Sequence, residues 1–218
     1  LLESSLSAQT EEAEHTRLAF SLASAYANES IGPGPLEMDG ALTENTLDEI
    51  VRLVVREGCV GETLAALEAH EAKESCRDDQ VYAVLAKVEA DERRHAELAW
   101  RFVAWALQRD LGVAEVLERE LDGIRAQVAS TWRLMQPQSF ANMGALSRHG
   151  VLTPAQRQRL RQLALTRLVL PCVEALVASA RARAPSTLSP GTNDPLTDPE
   201  FIVDDALMAI THVLRGED

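Results

Sequence analysis

Two segments of the 218-residue chain place an imidazole three positions after a carboxylate, Glu12-Ala13-Glu14-His15 and Glu92-Arg93-Arg94-His95. On a helix, residues three apart share a face, so each pair can grip one metal ion with an oxygen and a nitrogen. A chain this acidic, with five histidines, gives about half such a match by chance, against two found. Buried Glu and His residues also bond to one another or cap a neighbour, so spacing alone leaves both readings open.

Register adds weight. Val81, Leu85, Val88, Glu92, His95, Ala99 and Phe102 form one stripe, with Glu92 and His95 at positions where further apolar residues are expected. A carboxylate pointing into a core is costly unless it binds a metal, pairs with a base or keeps its proton. Glu12 and His15 share a stripe with Ala19, Leu22 and Tyr26. A third carboxylate comes from the intervening helix: in an antiparallel hairpin turning at Arg77-Asp78-Asp79, Glu62 stands level with Glu92. Gly58 and Gly61 beside it allow close helix approach. Glu57 competes with Glu62 for this role, since it follows Ile50 and Leu53 on an apolar stripe.

The elements that must carry these residues are helices, and the fold class is all-α. Ala, Leu, Glu and Arg dominate, strand-type alternation is nearly absent, and aromatic residues make up 4% of the chain. Helices are expected over about 10–28, ending before Gly32-Pro33-Gly34-Pro35; from a cap at Thr43 or Asn45 to about Ser75; and from Asp79 to Arg109. Further helices are expected over about 113–135, 153–182 with Pro171 kinking or dividing it, and 199–214. Residues 185–199, rich in Pro, Ser and Thr, read as a connector. Residues 1–110 thus hold the metal motifs, and 111–218 form a helical extension.

Composition removes several function classes. A formal charge of −13 excludes general attraction to phosphate backbones, so no nucleic-acid partner is expected. No uninterrupted apolar run approaches the roughly 20 residues that span a bilayer, so no membrane partner is expected either. Cys59, Cys76 and Cys172 form no CxxC and fit a reducing, cytoplasmic compartment. His70, Glu71, Glu89, His149 and His212 are read as surface or supporting groups, and Arg157, Arg159, Arg161 and Arg167 as a solvated face.

The EAEH and DERRHA segments, with REGCVGET on a helix between them, resemble the ferritin-like di-iron carboxylate superfamily over about residues 8–108. The resemblance implies a four-helix bundle in which two helices each give one Glu and two each give a Glu-x-x-His. It implies metal ligation by Glu12, His15, Glu62, Glu92 and His95, with Asp91 and Glu11 orienting the histidine of the opposite helix. Two iron ions, or iron and manganese, and an oxidoreductase chemistry on dioxygen or peroxide would follow; no catalytic acid or base is assigned. The alternative is a helical partner-binding or scaffold protein with a structural or degenerate metal site. The family's first bundle helix, with its lone Glu, has no counterpart before Glu12. Leu1 is not an initiator Met, so an upstream segment is expected to supply that helix, or else a separate chain, a second copy in a homodimer or the C-terminal half.

Overall fold

The computed structural model describes residues 1–36, 46–131 and 143–183, and the described residues are all-α. Helix α1 spans Leu2–Ala27. Helix α2 occupies 47–75 without a break, in three sections: Leu47–Leu53, a π-wound Val54–Glu62, and Thr63–Ser75. Helix α3 is Asp79–Arg109, α4 is Val113–Thr131 and α5 is the short Met143–Ser147. Helix α6 covers 154–183, with π winding over Leu165–Val169.

Local chemistry explains the boundaries. Thr46 and Glu49 form a reciprocal cap at the start of α2, so the cap expected at Thr43 or Asn45 moves to the next threonine; those two residues lie outside the described ones. Asp78 accepts the Gln80 and Val81 amides at the start of α3, and Thr153 with Gln156 caps α6 ahead of Pro154. Helix α1 begins eight residues earlier than expected and ends at Asn28, whose left-handed conformation closes the last turn. Pro171 does not divide α6. The π turn just before it loosens the carbonyls that its ring would otherwise strike. The expected helix over 199–214, the connector over 185–199, His212 and residues 132–135 fall outside the described residues.

Helices α2 and α3 form the antiparallel hairpin that the Arg77–Asp79 turn implied. Gly58 sits so close to α3 that a Cβ there would meet the Ala99 Cβ at 2.5 Å, whereas Gly61 faces no neighbouring helix. Only one of the two glycines therefore serves the close approach. The core is continuous from Val51 and Val55 on α2, through Trp100 and Val103 on α3 and Leu117 on α4, to Leu165, Val173 and Leu176 on α6. It thus draws on residues from both 1–110 and 111–218. Helix α6 is long and apolar enough to cross a membrane by length and composition, which the count of uninterrupted runs did not suggest, and half of its most apolar window is buried inside the molecule.

Helix α1 is different in kind. It lies antiparallel along α3 and has no buried residue; Leu2, Leu6 and Tyr26 are largely exposed. Its stripe of Glu12, His15, Ala19, Leu22 and Tyr26 is therefore only half-covered, because α3 is its main neighbour. The far end of α1 is clasped by a 2.8 Å hydrogen bond between the Tyr26 hydroxyl and His149 Nδ1.

Candidate metal centre

The antiparallel pairing of α1 and α3 sets Glu11-Glu12-x-x-His15 against Asp91-Glu92-x-x-His95 in a reciprocal arrangement. His15 Nε2 donates to Asp91 Oδ2 at 2.9 Å, and His95 Nε2 donates to Glu11 Oε2 at 2.8 Å. Each histidine is thereby held by the carboxylate that precedes the opposite motif's glutamate, and each turns Nδ1 inward. His95 Nδ1 lies 3.0 Å from Glu12 and 3.3 Å from Glu92, while His15 Nδ1 lies 3.4 Å from both. The two rings are 6.0 Å apart.

Helix α2 brings Glu62 to the same point. Ligating atoms of Glu12, Glu62, Glu92 and His95 all lie within 4.8 Å of one another. Five of the expected metal residues thus converge, with His15 at the edge of the group, and Glu11 and Asp91 stand behind the histidines. Glu57, the competitor of Glu62, is not in this cluster. It lines the adjoining cavity of about 480 Å³, together with Glu12, Glu62, His95, Val54, Leu98 and Phe102.

Electrostatics shows what the pocket holds when it holds no ion. Burial first, then the hydrogen bond and repulsion from Glu92, push Glu62 up to about 8. His95 is raised to about 9, chiefly by its hydrogen bond to Glu92 against the cost of burial. Glu92 is buried too, but hydrogen bonds from His95 and Glu62 and the nearby His15 hold it below the usual carboxylate range, so the proton of the Glu62–Glu92 pair sits on Glu62. Two protons therefore occupy the space among the carboxylates at neutral pH, a space that could instead hold a cation.

The outer carboxylates are tied to bases. Arg94 reaches both Glu11, at 2.8 Å, and Asp91, at 2.5 Å, and Lys87 reaches Asp91 at 2.9 Å. Burial works against the Asp91 charge, yet the hydrogen bonds from Lys87, His15 and Arg94 keep it ionised. Sequence reasoning did not single out Arg94 or Lys87, although their three- and four-residue offsets from Asp91 are the spacings of helical ion pairs. Of the two roles expected for Glu89, surface or supporting, it takes the second: it is buried and held by His70 at 3.0 Å and by Lys73. His70 faces Glu89 and takes no part in the cluster. Arg157, Arg159, Arg161 and Arg167 of α6 are exposed, as a solvated face would be, and two of them also pair across the surface, Arg157 with Glu68 at 3.7 Å and Arg159 with Glu71 at 3.5 Å.

The donor set suits a hard or borderline divalent cation. It offers carboxylate oxygens and imidazole nitrogens without thiolates, the combination that favours iron and manganese. Hydrogen bonding among the side chains satisfies most of it but leaves His15 Nδ1 buried and without a partner. An acceptor atom with no donor, facing two carboxylates, is what a bound cation would complete. Cys59, Cys76 and Cys172 form no disulfide and are buried away from this set. No family model, curated protein or solved structure matches this chain.

Proposed function

We propose that this chain is a ferritin-like di-metal carboxylate protein that binds two iron ions, or iron and manganese, and works as an oxidoreductase on dioxygen or peroxide. The observation that carries the reading is the reciprocal histidine arrangement, in which each imidazole is fixed from behind by a carboxylate of the opposite helix and presents Nδ1 to a shared cluster. Such a backing carboxylate fixes the tautomer and strengthens the ligand.

In this reading Glu12, Glu62 and Glu92 supply oxygen ligands, and His15 and His95 supply nitrogen. Bound iron would provide the redox chemistry. The chain holds the imidazoles in their ligating tautomer, moves protons off Glu62 and His95 as cations enter, and opens the cluster to a cavity with apolar walls. The exposed leucines of α1 support a bundle completed by a further helix, from a preceding segment, a separate chain or a second copy. Three buried cysteines without a disulfide suit a cytoplasmic setting.

The competing reading, a helical scaffold with a structural or degenerate site, is separated by metal analysis of protein purified without chelators. Close to two Fe or Mn per chain supports the di-metal reading. Metal-free protein whose thermal stability ignores added Fe(II) overturns it.

A further inference from the structure

The charges around the candidate centre balance in one ring and not in the other. In the outer ring, Glu11 and Asp91 meet Arg94 and Lys87. In the inner ring, three carboxylates, Glu12, Glu62 and Glu92, face the two histidines. Two divalent ions bring four positive charges. Three carboxylates leave that total one short, and uncompensated charge is costly in a half-buried site.

A fourth carboxylate lies on the wall of the same cavity. Glu57 precedes Glu62 by five residues within the π-wound Val54–Glu62 section. On an ordinary α-helix that offset turns about 140° and would put the two on different faces. A π turn closes its hydrogen bonds at five residues and returns them to one face. Both side chains accordingly line the cavity with Glu12 and His95. Glu57 is exposed and forms no hydrogen bond or ion pair among the described residues; the neighbouring Arg56 charge, which attracts it, is already paired with Glu120.

We propose that Glu57 is the fourth carboxylate ligand of the centre, binding the second ion from the cavity side beside Glu62. The proposal rests on the di-metal reading above. It makes the inner ring neutral with two ions and two neutral histidines, and a helix that covers α1 then needs to carry no ligand. The π winding is thereby given a task, which is to aim two carboxylates of α2 at one place.

The test is titration of the full metal-free chain with Mn(II), read by calorimetry and by metal counted after desalting. Wild type should bind two ions, and Glu57→Gln one, with the second ion weakened at least tenfold and the metal-free unfolding temperature unchanged. Glu57→Asp, which keeps the charge, should recover two, and Glu68→Gln, on the opposite side of α2, should retain two. If Glu57→Gln binds two ions with wild-type affinity while Glu62→Gln loses one, the Glu57 assignment fails and the di-metal reading stands. A wild-type stoichiometry below two overturns both.

Discussion

If cations replace the two protons on Glu62 and His95, metal binding must release them. With Glu62 at about 8 and His95 at about 9, the metal-free site at pH 7 carries about 0.9 proton on the first and about 1 on the second. Binding Mn(II) at pH 7 should therefore release about two protons, and at pH 9 only about 0.6. Apparent affinity should rise about 100-fold per pH unit between pH 6 and 7, then flatten above pH 9. Calorimetry in two buffers of different ionisation enthalpy counts the protons directly. Stability of the metal-free fold should move the opposite way. Both folded-state values lie above the unfolded ones, so the stabilisation is complete at low pH and is lost as pH rises through about 8 and about 9. For His95, nearly fully buried, that loss is on the order of 3 kcal/mol. Release of less than half a proton at pH 7, or an affinity that is flat from pH 6 to 8, would refute this account of the site.

Three further outcomes can be measured independently. Glu11→Gln removes the negative acceptor 2.8 Å from His95 Nε2 and should weaken Mn(II) binding by about 10- to 100-fold; unchanged binding in a competition assay would remove Glu11 from the centre. Gly58→Ala must fit a methyl group 2.5 Å from the Ala99 Cβ, so it should cost about 1–3 kcal/mol in urea unfolding, and a neutral result would show that the hairpin separates freely. Tyr26→Phe deletes the bond to His149 and should cost about 1 kcal/mol or less, read as faster amide exchange confined to the last turns of α1; wild-type exchange there would show that the clasp does not hold the helix.

What could be read from the sequence depended on how local its cause was. Helix α3 was legible to within a residue because its cap, its long apolar stripe and Gly112 after its end all lie in the chain itself. Hairpin symmetry placed Glu62 level with Glu92 but put Glu57 nearly level too, and the preference for Glu62 leaned partly on the family resemblance. The π winding of α2 was not legible; it surrounds Gly58, whose close approach to Ala99 is a contact between distant residues. For that reason Glu57 and Glu62 looked like rivals when the structure lets both face one cavity. The stripe of α1 misled for a related cause. An apolar periodicity reports which face wants covering and says nothing of how much of a partner is there. Whether Glu89 is a surface or a supporting residue is decided only by His70 and Lys73, which reach it from the other helix of the hairpin.

Helix α1 carries Glu11, Glu12 and His15, yet buries none of its own residues. It is attached by polar contacts with α3, by the Tyr26–His149 bond and by half-covered apolar residues such as Leu18 and Leu22; the exposed ion pairs among these contribute about 0–1 kcal/mol apiece. On the di-metal reading, cations would rivet it to α2 and α3, and at a metal level 100 times the dissociation constant one such rivet adds about 2.7 kcal/mol. Occupancy of the centre and seating of the helix are then one equilibrium. On that reading, the supply of metal around the protein would set how long α1 stays seated on α3, and the helix would be a latch with a concentration threshold.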